Sequence, residues 1–361
     1  LALAGTRPRG HGEYSDQELG HELWVSPKDR REHHAVTLWI IGQLRQLGWP
    51  GAGLILILAL APLFIPESLM RKLRDSMAGA QKNIYSKPVL PIVVAAICSV
   101  VFFFLRNNWL NSDGQAFTEK FHKVIPETGA LLTHDEILEL FVHSRFWYYT
   151  NQWFDWSVSF SYQVLSAVAG GIFIYLLLKY SRSLFTDTPT PSNHALCFMG
   201  IVISGGYMQL FFGDVENYTL TAALILAYFY ASHLYLQDRR SLLWPSTILA
   251  IAMMFHLLAG FLLPSLLYLF FLEFRKGRLA SVFKSTGVMA FIVGVTLLYF
   301  HFNGLPIREL YYNSHAFGHG GHVDQMLATP DGMYYWELFS LFFLLMPGTI
   351  LVLPILLTGG I

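Results

Sequence analysis

"LLWPSTILAIAMMFHLLAGFLLPSLLYLFFL", residues 242–272, is an uninterrupted run without a charged side chain. A single membrane pass needs about 20 apolar residues, so this run is too long for one crossing. Arg239 and Arg240 precede it, and Arg275, Lys276 and Arg278 follow it. Positively charged loops stay on the cytoplasmic side, which puts both ends of the run on one side. The run must therefore turn back on itself as two short helices, with the turn near His256. From this hairpin the rest of the chain can be oriented.

Composition agrees with a membrane protein: 54% of the 361 residues are hydrophobic and 13% are charged, and the mean hydropathy is +0.44, outside the range of ordinary soluble domains. The formal net charge is zero, so nothing points to nucleic acid. The two cysteines, Cys98 and Cys197, lie within apolar segments and do not suggest a disulfide or a thiolate metal cluster. The chain opens without Met and closes at "PILLTGGI", inside or just after an apolar run, so it reads as part of a longer protein.

Residues 1–50 are polar and mixed in charge, with no fold assigned. Residues 51–87 carry a short, proline-broken apolar piece, a possible extra membrane helix, and then a basic cytoplasmic linker. Residues 88–361 form the membrane domain, with spans expected at 88–105, 157–178, 195–212, 219–236, 286–302 and 337–357 besides the hairpin. The fold class is all-α, a polytopic bundle of about 8 to 9 membrane helices. Lys82, Lys87, Lys179, Arg182 and the two clusters around the hairpin then share the cytoplasmic side. The opposite side receives residues 106–156, 213–218, the turn at His256 and 303–336. The first of these loops contains "LELFVHSRFWYYTNQWFDW", aromatic-rich material suited to lie as an interfacial helix in the headgroup layer.

That outer side collects the chemistry-bearing residues. "FFGDVENYTL" (211–220) sets Asp214 and Glu216 in a tight turn between apolar runs, and "NSHAFGHGGHVDQ" (313–325) scatters His315, His319 and His322 among glycines. Asp214 and Glu216 allow two readings, which can coexist: an N-cap and dipole partner for the helix that follows, or members of a binding site. Asp113 in "NSDG" is either a turn residue or a functional carboxylate.

An arginine at the end of a first span with an Asp-Gly element after it ("LRNNWLNSDGQAF"), a "GDVENY" turn between spans, and a His-Leu hairpin with a later proline ("MMFHLLAGFLLPSLLYL") together resemble the multi-spanning glycosyltransferases of the GT-C fold. These include the protein O-mannosyltransferases and aminoarabinose transferases. The resemblance covers residues 85–357 and departs from the closest relatives at Ser112, where a glycine is expected. It implies inverting transfer of a sugar from a polyprenyl-phosphate donor to a glycan, lipid or protein acceptor at the periplasmic or exterior face of the cell membrane. Such a reaction needs a carboxylate to take the acceptor's proton and a cation to stabilise the departing phosphate. The resemblance implies Asp113 as base and Asp214 and Glu216 as its catalytic partners. Arg106, Asn217, Tyr218, His256 and Arg308 would bind substrate, and a divalent cation, if one is used, would sit among Asp214, Glu216 and His256. Lys120, Lys123 and Arg145 are further outer cations from which a phosphate clamp can be drawn. A transporter, a non-catalytic membrane protein and a lipid-linked glycan ligase or polymerase are the alternatives. The apolar spans carry no mid-membrane ionisable residues and no internal repeat, which weighs against transport.

The charge pattern makes a direct prediction. With the native cysteines replaced by serine, Ser241→Cys stays unreactive toward an impermeant thiol reagent in intact cells and reacts after permeabilisation. Labelling in intact cells would reverse the topology.

Overall fold

The computed structural model describes residues 89–106, 136–186, 191–213 and 215–304 and isolated positions between 68 and 121; for residues 191–193 and 206 only the backbone is described. The chain divides into two units at Ile65 and Pro66, and all described residues belong to the second. The possible extra membrane helix in 51–87, the expected span at 337–357 and residues 1–50 fall on residues outside the described ones, apart from isolated positions from 68 on.

The described part is helical, without strands. Its elements in order are α1 (Leu90–Phe104), α2 (Ile137–Phe154), α3 (Val158–Leu184), α4 (Pro191–Ile203), a 3₁₀ segment (Gly206–Phe211), α5 (Thr219–Leu236), α6 (Leu243–Phe255), a second 3₁₀ segment (Leu257–Leu262), α7 (Leu263–Arg275) and α8 (Leu279–Phe302). Among the described residues four helical stretches are long and apolar enough to cross a membrane: Val158–Leu184, Thr219–Leu236, Leu257–Arg275 and Leu279–Phe302. This establishes a helical, membrane-type protein in contact with lipid.

Two expected spans come out differently. The helix in 88–105 has 15 residues, about 22 Å at 1.5 Å per residue, against a hydrocarbon layer of about 30 Å. The stretch 195–212 is not one helix. It stops at Ile203, passes through Ser204 and an extended Gly205 (φ −64°, ψ 137°), and resumes as a 3₁₀ turn. Apolar composition continues across this break, but the adjacent glycines remove the side chains that would favour continued α-helix.

α3 is the centre of the bundle: two thirds of its spanning window is buried, against 6% for α8, whose sides are open. α1 crosses α3 at Gly171, where an added Cβ would stand 1.9 Å from Ser99 Oγ and 2.9 Å from the Ala95 carbonyl oxygen. Small residues on both helices allow this approach, the usual means of packing where lipid is as apolar as the side chains. Phe102, Phe173, Leu177, Met208, Phe211 and Leu226 fill the core around the crossing.

The hairpin forms where the apolar run required it. α6 ends at an extended His256 (φ −152°, ψ 127°), and α7 returns with a proline in its first turn. Both ends meet again, since Lys276 Nζ lies 3.2 Å from Asp238 Oδ1 and the α3 terminus joins them through Ser183 and Gln237. The basic loops therefore gather at one end of the bundle. At the other end α2 packs through Ile137 and Phe141 against Phe300 of α8 and turns sharply into α3. The turn is held by Asp155 in a left-handed conformation (φ 55°), by Trp147 Nε1 and Asn151 Nδ2 donating to the Trp156 carbonyl at 3.0 Å each, and by Ser157 capping α3 through the Phe160 amide. α2 buries one face and leaves Tyr149, Trp153 and Phe154 outside. α3, with 27 residues, measures about 40 Å, longer than a hydrocarbon layer of about 30 Å.

Candidate functional site

The site is assembled where α2, the first turns of α3, the acidic turn before α5 and the hairpin tip meet. It starts from Glu136, the residue before α2. One carboxylate oxygen accepts from Asn217 Nδ2 and the other lies 3.5 Å from His256 Nε2. Glu136 and His256 keep 17% and 15% of their side chains exposed, enough to be reached by a substrate yet held in place. The orientation of His256 follows from its other nitrogen: Nδ1 accepts from the Leu258 amide at 3.1 Å, so Nε2 carries the proton and faces Glu136. The Tyr218 ring leans on the imidazole with centroids 4.9 Å apart.

Behind this accessible carboxylate is a buried one. Glu139, fully enclosed, accepts from His143 Nε2 at 3.3 Å, from the Leu220 amide at 3.4 Å and from Thr221 Oγ1 at 3.2 Å. His143 stacks on Tyr162 of α3 with ring centroids 3.9 Å apart and planes 12° from parallel. The Leu220 amide belongs to the first turn of α5, one of the donors that a helix cannot satisfy internally. α5 begins after Tyr218 without a side-chain cap of its own, so Glu139, from another helix, takes that place. Asp214 stands five residues before α5 and Glu216 three; the reading of Asp214 as the N-cap of α5 is thereby corrected.

The acidic turn is brought against the end of α1. Gly213 has φ +71°, and a Cβ there would stand 2.7 Å from Arg106 Cβ and 3.2 Å from Gln163 Cγ. Only glycine fits both constraints. Arg106 lies over the Phe103 ring at 4.5 Å and donates through Nη1 to the Phe103 carbonyl at 3.1 Å, while its buried Nε has no hydrogen-bond partner. Gly213 and Asn217 are four residues apart, at most about 14 Å even if extended, so Arg106 and Glu136 flank one short turn. Asn217 Oδ1 and Thr219 Oγ1 are also buried without partners, and Asn217 is in contact with Glu136.

Of the residues expected from the sequence, Arg106, Asn217, Tyr218 and His256 converge here. Glu216 is half-buried in the same turn. Asp113, Asp214, Arg308, Lys120, Lys123 and the histidines at 315, 319 and 322 lie outside the described residues. Arg145 packs over Phe141 at 5.6 Å. Among the described residues no three His, Cys, Asp or Glu side chains group so as to hold a metal. Glu136, Glu139 and His143 were not anticipated. Their signal in the sequence is slight: "HDEILELFVH" places Glu139 and His143 four residues apart on one helical face otherwise made of apolar side chains, where a polar pair must find partners.

Comparison with known proteins corrects the family reading. The family model that matches is described as a chorismate binding enzyme and covers residues 1–50. No curated protein and no solved structure matches the chain, and nothing supports membership of the GT-C glycosyltransferases. The motifs behind that resemblance are a few residues each, and helix ends, acidic turns and hairpins recur in any polytopic bundle for the reasons of backbone satisfaction set out above.

Glu139→Ala would leave the Leu220 amide, the Thr221 hydroxyl and His143 Nε2 without their shared acceptor. The expected cost is about 3 kcal/mol, with a smaller loss for Glu139→Gln, which keeps an acceptor oxygen. Thermal midpoints of the detergent-solubilised variants, followed by size-exclusion chromatography, check both values. Wild-type stability of Glu139→Ala would remove this residue from the framework.

Proposed function

We propose that the chain is a membrane glycosyltransferase that moves a sugar from a polyprenyl-phosphate-linked donor to an acceptor hydroxyl at the acidic, aromatic end of the bundle, which faces away from the cytoplasm. The observation that carries this reading is the placement of an oriented, accessible carboxylate, Glu136, and a cation, Arg106, against the same short turn. The reading rests on this geometry and on the membrane setting, with no family membership behind it.

In this reaction Glu136 accepts the proton of the acceptor hydroxyl. The hydroxyl oxygen bonds to the anomeric carbon as the bond from that carbon to the phosphate oxygen breaks, and the electron pair leaves on the phosphate. Arg106 receives the developing negative charge. His256 and Asn217 hold the carboxylate with one lone pair of each oxygen free. Glu216 lies on the same turn and stands to bind the acceptor. Asp113 and Asp214 remain proposed partners by their position in the chain. The charge distribution supports this sidedness, since the arginine- and lysine-rich loops occupy the opposite end.

Glu136→Gln keeps one acceptor oxygen, meets its NH2 with the otherwise unpartnered Asn217 Oδ1 once that amide turns over, and removes the basic oxygen, so sugar transfer in membranes should fall by at least about a hundredfold with little change in the thermal midpoint. Arg106→Gln should reduce transfer by a comparable factor, mostly in kcat. Wild-type transfer by folded Glu136→Gln would end the assignment of this carboxylate as base.

The similarity of residues 1–50 to a chorismate binding enzyme supports a second, separate reading for that unit. Chorismate carries carboxylates, and "GTRPRG" and "KDRR" supply the guanidinium and ammonium groups that pair with them. Equilibrium titration of chorismate into the full chain tests it; saturable binding lost in Arg7→Gln and Arg9→Gln supports the reading, and absence of binding refutes it.

A further inference from the structure

The end of the bundle opposite Glu136 holds a cleft of about 400 Å³ between the α5–α6 loop, the end of α7 and the start of α8. Its walls come from a repeated local device. α5 and α7 each end in a left-handed residue, Asp238 (φ 55°) and Gly277 (φ 72°). In each the following amide closes back on the helix, Arg239 to the Leu234 carbonyl at 2.9 Å and Arg278 to the Glu273 carbonyl at 3.0 Å, the usual way of satisfying a helix end. The residues thrown out by the two closures are arginines, Arg239 and Arg240 in one case and Arg278 in the other, and all three line the cleft. Arg240 is steadied over the Trp244 ring at 5.3 Å. The N-terminus of α8, a helix of 24 residues, opens on the same space without a side-chain cap.

Two carboxylates bound the cleft and temper its charge. Asp238 is occupied by Lys276 at 3.2 Å. Glu273, 3% exposed, is met by Arg278 Nη1 at 3.7 Å through Oε1, while its Oε2 is buried with no hydrogen-bond partner. The Tyr235 hydroxyl, the neighbouring donor that interacts with Glu273, is drawn to the Leu269 carbonyl at 3.4 Å. A buried carboxylate oxygen whose near donor is engaged elsewhere costs free energy, and a ligand that brings a donor satisfies it. Just outside, Phe274 and Phe283 stand exposed on α7 and α8, an apolar surface continuous with the lipid-facing side of α8.

We propose that this cleft binds a phosphate ester that also carries a hydrogen-bond donor, the chemistry of a phospholipid headgroup such as phosphoglycerol or phosphoethanolamine. The phosphate sits among Arg239, Arg240 and Arg278 at the start of α8, and the hydroxyl or ammonium donates to Glu273 Oε2. Basic pockets between membrane helices at the positive side suit such headgroups, and the acyl chains of a lipid would lie over Phe274 and Phe283. The site lies away from Glu136 and does not depend on the reaction proposed there.

The test uses the full chain purified in a neutral detergent, with phosphatidylglycerol, phosphatidylethanolamine, phosphatidylcholine or free glycerol phosphate added and thermal midpoints recorded. Phosphatidylglycerol and phosphatidylethanolamine should raise the midpoint saturably and phosphatidylcholine, which has no donor, should not. In Arg278→Gln the half-saturating phosphatidylglycerol concentration should rise about tenfold, and in Glu273→Gln, where an amide offers one acceptor and loses the charge, discrimination against phosphatidylcholine should weaken. Stabilisation by glycerol phosphate alone at similar concentrations would identify a soluble ester as the ligand of the same site. Equal responses to phosphatidylglycerol and phosphatidylcholine, or a wild-type response in the triple Arg239→Gln, Arg240→Gln, Arg278→Gln variant with an unchanged ligand-free midpoint, would overturn the proposal. If the triple variant does not fold, Arg278→Lys and Arg278→Gln decide between the same outcomes: a phosphate site tolerates the first better than the second, and equal wild-type responses in both would overturn it.

Discussion

A single buried carboxylate, Glu139, joins three helices at the acidic end of the bundle. Enclosing a charge of this kind away from water costs several kcal/mol unless donors replace the water it loses, and here the replacements come from His143 on its own helix and from the amide and hydroxyl that start α5. His143 in turn stacks on Tyr162 of α3. The relative positions of α2, α3 and α5 thus depend on one residue whose partners on α5 lie far away in the chain. Glu136, three residues earlier, inherits its place from this arrangement: with α2 tied to the start of α5, the Glu136 side chain meets Asn217 and the hairpin tip.

The two ends of the bundle solve the same backbone problem with opposite charge. At one end helix starts are served by oxygen acceptors, Glu139 for α5 and Ser157 for α3. At the other, α5 and α7 finish in left-handed closures followed at once by arginines. Glu139 at the start of α5 and the arginines after the ends of α5 and α7 agree with the helix dipole, although Arg278 also stands at the uncapped start of α8. A bundle built in this way offers a carboxylate site at one surface and an anion site at the other without any element dedicated to either.

Between the ends, packing depends on small residues more than on large ones. Gly171 admits Ser99 and the Ala95 backbone, and Gly213 admits Arg106. The first contact allows α1, a helix of only 15 residues, to be held along α3. The second delivers a cation to the acidic turn. In both cases the packing rests on the absence of a side chain, which a reading of chemistry-bearing residues passes over.

The hairpin at His256, the polar turn at 213–218, the gathering of basic loops at one end and an aromatic helix at the other were all legible in the sequence, because each follows from local rules: apolar length against membrane thickness, charge beside apolar runs, amphipathic spacing. The break at Gly205 and the shortness of α1 were less legible, since hydropathy averages over residues and is insensitive to a change of helix type. The family likeness failed for a related reason, its short motifs being what helix ends in any membrane bundle require. What only the tertiary structure decided is the membership of the site: that Glu136 meets Asn217 and His256, that Glu139 caps a helix other than its own, and that Arg106 stands against Gly213. Hydrogen bonds and steric contacts between residues distant in the chain leave no periodicity and no spacing to read, whereas the membrane acts on every stretch of sequence alike and writes its constraint locally.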